Sequence, residues 1–128
     1  MPRVLVVDDD PQVLKLLRLN FELEGYEVVS ATNGEEALEH VRGDSPDVVV
    51  CDVMMPGIDG LEVVRRLRAH PDTATLPLVV VSAKAQRSDV RQGLRLGADA
   101  YVTKPFDPAE LLRVVANLLS KRGNPKRK

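Results

Sequence analysis

Several features that define common classes of protein are missing from this chain of 128 residues. It has one cysteine, Cys51, and two histidines, His40 and His70. An internal disulfide is therefore excluded, and there are too few Cys and His side chains for a structural zinc site. No apolar run approaches the roughly 20 residues that a membrane-spanning helix requires, and the N-terminus lacks the pattern of a secretory signal. These absences predict a cytoplasmic protein that does not bind membranes.

The charges are unevenly distributed along the sequence. Five of the 18 basic residues follow Ser120, so the first 120 residues carry 13 basic and 19 acidic side chains. An acidic body of this kind disfavours direct nucleic-acid binding by the domain. The length suits one domain with one core. We therefore predict a single domain over residues 1–120, followed by a basic, disordered tail or linker over residues 121–128.

Short apolar runs alternate five times with helical patterns. The predicted strands cover residues 4–7, 28–31, 48–51, 78–81 and 100–103, and a helix is predicted after each. Strands one, three and four are continuously apolar, as expected when helices cover both faces of a sheet. Strands two and five are less apolar and suit the edges. Right-handed crossovers then predict an α/β, doubly wound (βα)5 fold, a flavodoxin-like sandwich with a parallel five-stranded sheet of order 2-1-3-4-5.

Polar side chains follow four of these strands. Asp8 and Asp9 end the first strand, Asp52 the third, Ser82 the fourth and Lys104 the fifth. Ligands in this architecture bind at the carboxyl ends of the strands, beside the first and the third, so we expect these side chains to converge there. Clustered carboxylates repel each other unless a divalent cation lies among them. The sequence therefore predicts a Mg²⁺ site.

The residue types suit phosphoryl transfer, which needs positioning and charge neutralisation more than covalent help from the protein. Asp52 can act as a nucleophile and form an aspartyl-phosphate. Asp9 and Asp52 can supply two metal-binding oxygens, and the carbonyl of Met54 can supply a third. Lys104 can neutralise one phosphoryl oxygen, and the Ser82 hydroxyl can donate to another. Taken singly, these residues are more typical of helix caps and loops, so the prediction depends on their convergence.

The motifs at these strand ends resemble those of the receiver domain of bacterial two-component response regulators, and the resemblance covers about residues 3–120. The motifs are Val-Asp-Asp at 7–9, Asp-Val-Met-Met-Pro-Gly at 52–57, Asp-Gly at 59–60, Ser-Ala at 82–83, Gly-Ala-Asp-Ala-Tyr at 97–101 and Thr-Lys-Pro-Phe at 103–106. The roles that the resemblance implies are phosphoacceptor for Asp52, direct metal ligand for Asp9, indirect ligand through metal-bound water for Asp8, switch pair for Ser82 and Tyr101, and phosphate-contacting residue for Lys104. It also implies a cis peptide bond before Pro105.

The resemblance implies a signalling switch of a two-component phosphorelay and not an enzyme with turnover. A histidine kinase or a histidine phosphotransfer protein would supply the phosphoryl group. A downstream effector protein or domain would respond to a change in the face formed by the fourth helix, the fifth strand and the fifth helix. Two alternatives stay open: a pseudo-receiver that binds proteins without chemistry, and a flavodoxin-like phosphohydrolase. The phosphohydrolase would be expected to have a glycine-rich phosphate loop where Asp-Asp-Asp-Pro follows the first strand.

Overall fold

A computed structural model of the protein describes residues 1–122, in which five strands alternate with five helices. The strands are β1 (Arg3–Val7), β2 (Glu27–Ala31), β3 (Val48–Asp52), β4 (Leu78–Ser82) and β5 (Ala100–Thr103). The helices are α1 (Pro11–Leu23), α2 (Gly34–Asp44), α3 (Gly60–Ala69), α4 (Arg87–Leu96) and α5 (Pro108–Arg122). Neighbouring strands are parallel and their order is β2-β1-β3-β4-β5. The predicted α/β fold and strand order are confirmed.

The last helix extends into the segment predicted as a tail. The predicted domain ends at Ser120, but α5 continues through Lys121 to Arg122. The rest of the predicted tail, residues 123–128, lies outside the described residues. Within residues 1–122, no helix is both long and apolar enough to span a membrane.

The sheet separates two apolar clusters, because successive side chains of a strand point to opposite faces. In β1, Leu5 and Val7 contribute to the cluster that also contains residues of α2 and α3. Val4 and Val6 contribute to the cluster formed with α1 and α5. All residues of β3 and β4 are buried, whereas the edge strands β2 and β5 each contain partly exposed residues. Burial on both faces therefore accounts for the continuous apolar runs of the inner strands.

Side-chain caps begin four of the helices, in the loops that follow the strands. The capping hydrogen bonds run from Gln12 N to Asp10 Oδ1 (2.9 Å), from Glu36 N to Asn33 Oδ1 (2.9 Å), from Glu62 N to Asp59 Oδ1 (2.9 Å) and from Ala109 N to Asp107 Oδ1 (3.0 Å). Each cap satisfies a backbone N–H that the first helical turn leaves without an intrahelical acceptor. The caps thereby fix the loops at the carboxyl edge of the sheet, where the site was predicted.

Arg68 connects three segments at the amino-terminal edge of the sheet, opposite the edge where the site was predicted. From the last turn of α3, its guanidinium donates to the carbonyl oxygens of Leu76 (2.6 Å) and Gly97 (2.8 Å) and to Asp99 Oδ2 (2.9 Å). Asp99 Oδ2 also accepts from Leu78 N, at the start of β4, at 2.8 Å. The Arg68 side chain is only 18% exposed. It therefore links α3 to the loops that precede β4 and β5.

Candidate functional site

The ends of β1 and β3 bring three carboxylates together. One carboxylate oxygen from each of Asp8, Asp9 and Asp52 lies within 4.8 Å of the others. Asp8 and Asp52 are buried, with 2% and 5% of their surfaces exposed, whereas Asp9 is exposed. The strand register explains this arrangement, because Val7 pairs with Cys51 and the residues that follow them lie side by side. The structure thus unites the three carboxylates that the sequence analysis singled out.

Lys104 reaches the same cluster from the position directly after β5. Its Nζ lies 3.0 Å from Asp8 Oδ2 and 3.5 Å from Asp52 Oδ2. Burial lowers the pKa of Lys104, but the hydrogen bond with Asp8 and the charge of Asp52 outweigh this effect and raise the pKa overall. The amine is therefore charged at neutral pH. The peptide bond between Lys104 and Pro105 is cis, as the resemblance implied.

The surroundings of Asp52 disfavour its ionised form. Burial raises the pKa of Asp52, and the negative charge of Asp8 raises it further. The charge of Lys104 acts in the opposite direction, as does Met54 N, which lies 3.4 Å from Asp52 Oδ1. The net result is a pKa above the usual value of 3.8. Lys104 does not fully offset the burial of Asp52 and the charge of Asp8, so further positive charge at this site would stabilise the ionised form of Asp52.

The oxygen donors of this cluster fit a hard divalent cation such as Mg²⁺. Asp8 accepts from Asp10 N through Oδ1 at 2.9 Å and from Lys104 through Oδ2, which suits the indirect role predicted for Asp8. Asp9 and Asp52 are the candidates for direct ligands. The Met54 carbonyl stays a predicted third ligand. The Met54 side chain, which follows Asp52 by two residues, is 52% exposed.

Ser82 and Tyr101 are connected through the backbone of a third residue, Lys84. Ser82 is fully buried at the end of β4, and its Oγ accepts from Lys84 N at 3.0 Å. Tyr101 is half-buried in β5, and its hydroxyl donates to Lys84 O at 2.7 Å. In the sheet, Ser82 pairs with Thr103, the residue before Lys104. The Ser82 hydroxyl therefore lies at the same edge as the acidic cluster, and the two predicted switch residues hold opposite sides of Lys84.

Gly60 belongs to the Asp-Gly motif at 59–60, but the sequence analysis gave it no role at the site. A Cβ atom at this position would lie 2.2 Å from Asp52 O and 2.8 Å from Val53 Cα. Gly60 N donates to Val53 O at 2.9 Å. Only glycine therefore lets α3 begin against the end of β3. The Asp-Gly pair indicates the start of a helix, but nothing in the sequence indicates how closely that helix approaches the strand.

Asp52→Asn is expected to stabilise the protein in Mg²⁺-free buffer. The amide removes a buried negative charge and leaves the hydrogen bond between Lys104 and Asp8 in place. The gain in the free energy of unfolding at pH 7 should be about 1 kcal/mol, a typical size for a stabilising single substitution. Urea unfolding measures it.

The difference should depend on pH in a definite direction. Because folding raises the pKa of Asp52 above 3.8, protonation of this group favours the folded state, and wild type loses stability as the pH rises through that range. The gain of Asp52→Asn should therefore be small below about pH 4 and grow above it. Asp9→Asn, at the exposed member of the cluster, is the control, with a change of less than about 0.5 kcal/mol. A less stable Asp52→Asn at pH 7 would contradict this electrostatic account.

Known protein sequences that are similar to this chain identify its family. A family model described as response regulator receiver domain matches residues 4–116. The alkaline phosphatase synthesis transcriptional regulatory protein PhoP of Bacillus subtilis is 44% identical over 109 residues, which are 85% of this chain and 45% of that protein. The phosphate regulon transcriptional regulatory protein PhoB of Rhizobium meliloti is 40% identical over 125 residues, 98% of this chain and 55% of that protein. The chain thus spans about half the length of these curated relatives.

Solved structures share the fold. A putative response regulator from Chloroflexus aurantiacus superposes with a TM-score of 0.89 at 43% identity, covering 94% of this chain and 99% of that chain. The chemotaxis protein CheY4 of Vibrio cholerae superposes with a TM-score of 0.87 at 30% identity, covering 93% of this chain and 99% of that chain. The similarity therefore extends over nearly the whole of each solved chain.

Proposed function

Because this chain belongs to the receiver domain family of two-component response regulators, we propose that it is a phosphorylation-dependent switch with Asp52 as the phosphoacceptor. The observation that carries the proposal is the position of the Asp52 carboxylate. It is buried at the end of β3, 3.5 Å from Lys104 Nζ and beside two further carboxylates. The proposed donor is a histidine kinase or a histidine phosphotransfer protein that presents phosphohistidine.

In the proposed reaction, a carboxylate oxygen of Asp52 attacks the phosphorus of phosphohistidine in line with the P–N bond. A P–O bond forms and gives an aspartyl-phosphate, and the electron pair of the broken P–N bond stays on the imidazole nitrogen of the donor. Lys104 offers its charge to one phosphoryl oxygen from a position already close to Asp52. The Ser82 hydroxyl, at the end of the adjacent strand, can donate to another.

Mg²⁺ is the proposed cofactor, with Asp9, Asp52 and the Met54 carbonyl as direct oxygen ligands and Asp8 acting indirectly. When bound, the ion would neutralise charge on the carboxylates and on the phosphoryl oxygens. The contribution of the protein is to bury Asp8 and Asp52 side by side, where the ionised form of Asp52 is disfavoured unless positive charge lies nearby. The charged Lys104 supplies part of this positive charge and holds the carboxylates in place. The helix caps fix the loops that carry the site.

The proposed response to phosphorylation passes through Ser82 and Tyr101. A phosphoryl group on Asp52 would draw the Ser82 hydroxyl towards it and away from Lys84 N, while Lys84 O holds the Tyr101 hydroxyl. The population of Tyr101 positions would then shift and change the face formed by α4, β5 and α5. On this proposal the domain is a cytoplasmic switch and not a turnover enzyme.

The proposed recipient of the signal is an output domain or a separate effector protein. PhoP and PhoB carry the names of transcriptional regulators, and this chain corresponds to 45% and 55% of their lengths. A receiver domain that matches about half of such a protein is suited to control a neighbouring domain. Direct nucleic-acid binding by residues 1–120 is not part of the proposal, because acidic side chains outnumber basic ones there.

Intact mass spectrometry tests the proposed function. Wild type, incubated with Mg²⁺ and acetyl phosphate, is expected to gain one phosphoryl group, and both EDTA and Asp52→Asn should prevent the gain. An adduct that persists in Asp52→Asn would identify another residue as the nucleophile. A folded wild-type protein that gains no adduct from acetyl phosphate or from a histidine kinase would instead favour the pseudo-receiver. Repeated turnover of phosphate esters would favour a phosphohydrolase.

A further inference from the structure

Gly93 lies in the interior of α4, where glycine disfavours a helix. It is buried, and the ring of Tyr101 packs directly against it. A Cβ atom at residue 93 would lie 2.8 Å from Tyr101 Cδ2 and 3.1 Å from Cε2. These atoms belong to the side of a rigid ring, so the ring as a whole would have to move to admit a methyl group. The helix thus has an unfavourable residue at a position where the ring needs the space.

The same ring is held at its hydroxyl end by the loop that leads from the candidate site. The Tyr101 hydroxyl donates to Lys84 O at 2.7 Å, and Lys84 N donates to Ser82 Oγ at 3.0 Å. Leu61 of α3 lies near the same position, with its Cδ2 3.8 Å from the added Cβ atom. A continuous line of contacts therefore runs from Gly93 through Tyr101 and Lys84 to Ser82.

We propose that Gly93 is a positioning residue for the Tyr101 switch. Its missing side chain leaves a notch in α4 that receives the ring and allows the hydroxyl to reach Lys84. A side chain at residue 93 would fill the notch, displace the ring towards solvent and break the hydrogen bond to Lys84 O. The turn that holds the Ser82 hydroxyl would then lose one of its supports. The inference rests on the proposed function and adds to it the residue that sets the balance between positions of Tyr101.

Tyrosine fluorescence can report the position of the ring, because the chain has no tryptophan and only one other tyrosine, Tyr26. In a Tyr26→Phe background, Gly93→Ala is expected to expose Tyr101 to acrylamide, and its quenching constant should move towards that of the urea-unfolded chain. Gly43→Ala is the matched control, since Gly43 also lies in a helix and an added Cβ would meet nothing within 4 Å. Equal quenching in the two variants would overturn the proposal.

A double-mutant cycle separates the contact with the ring from the general effect of glycine in a helix. With Tyr101 present, Gly93→Ala should lower the folding equilibrium constant about tenfold, because the added methyl group overpacks the site. In a Tyr101→Ala background, the same change should raise that constant about fivefold, as expected when alanine replaces glycine in a helix. The same sign in both backgrounds would overturn the proposal. If Gly93→Ala alone does not fold, the proposal requires that the double variant with Tyr101→Ala folds. A double variant that also does not fold would overturn the proposal.

Neither measurement involves phosphorylation, so this inference and the proposed function can fail separately. The link to the site is measured by the rate at which acetyl phosphate and Mg²⁺ produce the phosphoryl adduct. Gly93→Ala should form the adduct more slowly than Gly43→Ala. A displaced ring with an unchanged rate would overturn the coupling between Gly93 and Ser82. A wild-type protein that forms no adduct would contradict the proposed function, while the fluorescence and the cycle would still decide the role of Gly93.

Discussion

Lys104→Ala is expected to slow formation of the aspartyl-phosphate about 100-fold at saturating Mg²⁺, a typical cost of removing one preorganised donor from a buried site. The ammonium lies 3.0 Å from Asp8 Oδ2 and 3.5 Å from Asp52 Oδ2. That position is beside the carboxylate that would bond to phosphorus, where charge on the phosphoryl oxygens must be neutralised. The measurement is the initial rate of adduct formation with acetyl phosphate, followed by intact mass.

Two further variants separate the position of the charge from its presence. Lys104→Arg keeps the charge but replaces a compact ammonium with a planar guanidinium, so we expect partial recovery of the rate. Lys15→Ala removes an exposed lysine of α1 and should leave the rate unchanged. Urea unfolding establishes that Lys104→Ala is folded, since the substitution also leaves Asp8 and Asp52 without their neighbouring cation. A rate in folded Lys104→Ala that equals the wild-type rate would rule out the proposed contact with phosphate.

Arg68→Ala is expected to lower the free energy of unfolding by about 3 kcal/mol, the scale observed when one partner of a buried charged network is removed. The substitution would take away the donor for Leu76 O and Gly97 O and the cation beside Asp99. Since the side chain is only 18% exposed, water replaces these hydrogen bonds poorly. Urea unfolding, with the midpoint and the slope fitted together, measures the loss.

Arg66→Ala is the matched control for this prediction. Arg66 lies in the same helix and pairs with Glu62 at 2.8 Å, but its side chain is 48% exposed. An exposed pair of this kind contributes roughly 0.2–1 kcal/mol, so the effect should be much smaller than that of Arg68→Ala. Arg68→Lys keeps the charge but cannot reach all the acceptors of the guanidinium, and it should fall between the two. A loss in Arg68→Ala no larger than in Arg66→Ala would refute the role assigned to Arg68.

The features that depend only on residues close together in the sequence, such as the strands and the residues that end them, could be predicted. The inner strands are recognisable because burial on both faces makes them continuously apolar. The convergence of Asp52, Ser82 and Lys104 could be predicted for a related reason. Each follows a parallel strand, and the ends of parallel strands meet at one edge whatever the details of packing. Neither inference required distances between helices.

The contacts of Gly60, Gly93 and Arg68 could not be predicted, because each depends on how closely a helix approaches a neighbouring strand or loop in the packed fold. Gly60 is readable as the start of a helix, yet its essential property is the 2.2 Å between an added Cβ and Asp52 O. Arg68 resembles an ordinary arginine in the last turn of a helix, yet it bonds to Gly97, 29 residues later. Such properties arise only once the helices are packed on the sheet.

The single thiol of the chain belongs to Cys51, the residue that precedes the candidate phosphoacceptor in β3. Cys51 is buried in β3, next to Asp52, and burial together with the charges of Asp52 and Asp8 raises the pKa of its thiol. Thiol reagents react with the thiolate, so they can modify Cys51 only when β3 separates from its neighbours. The rate of modification therefore reports how often the strand that carries Asp52 opens. Any ion or phosphoryl group that stabilises the folded site should lower the rate at which Cys51 is modified.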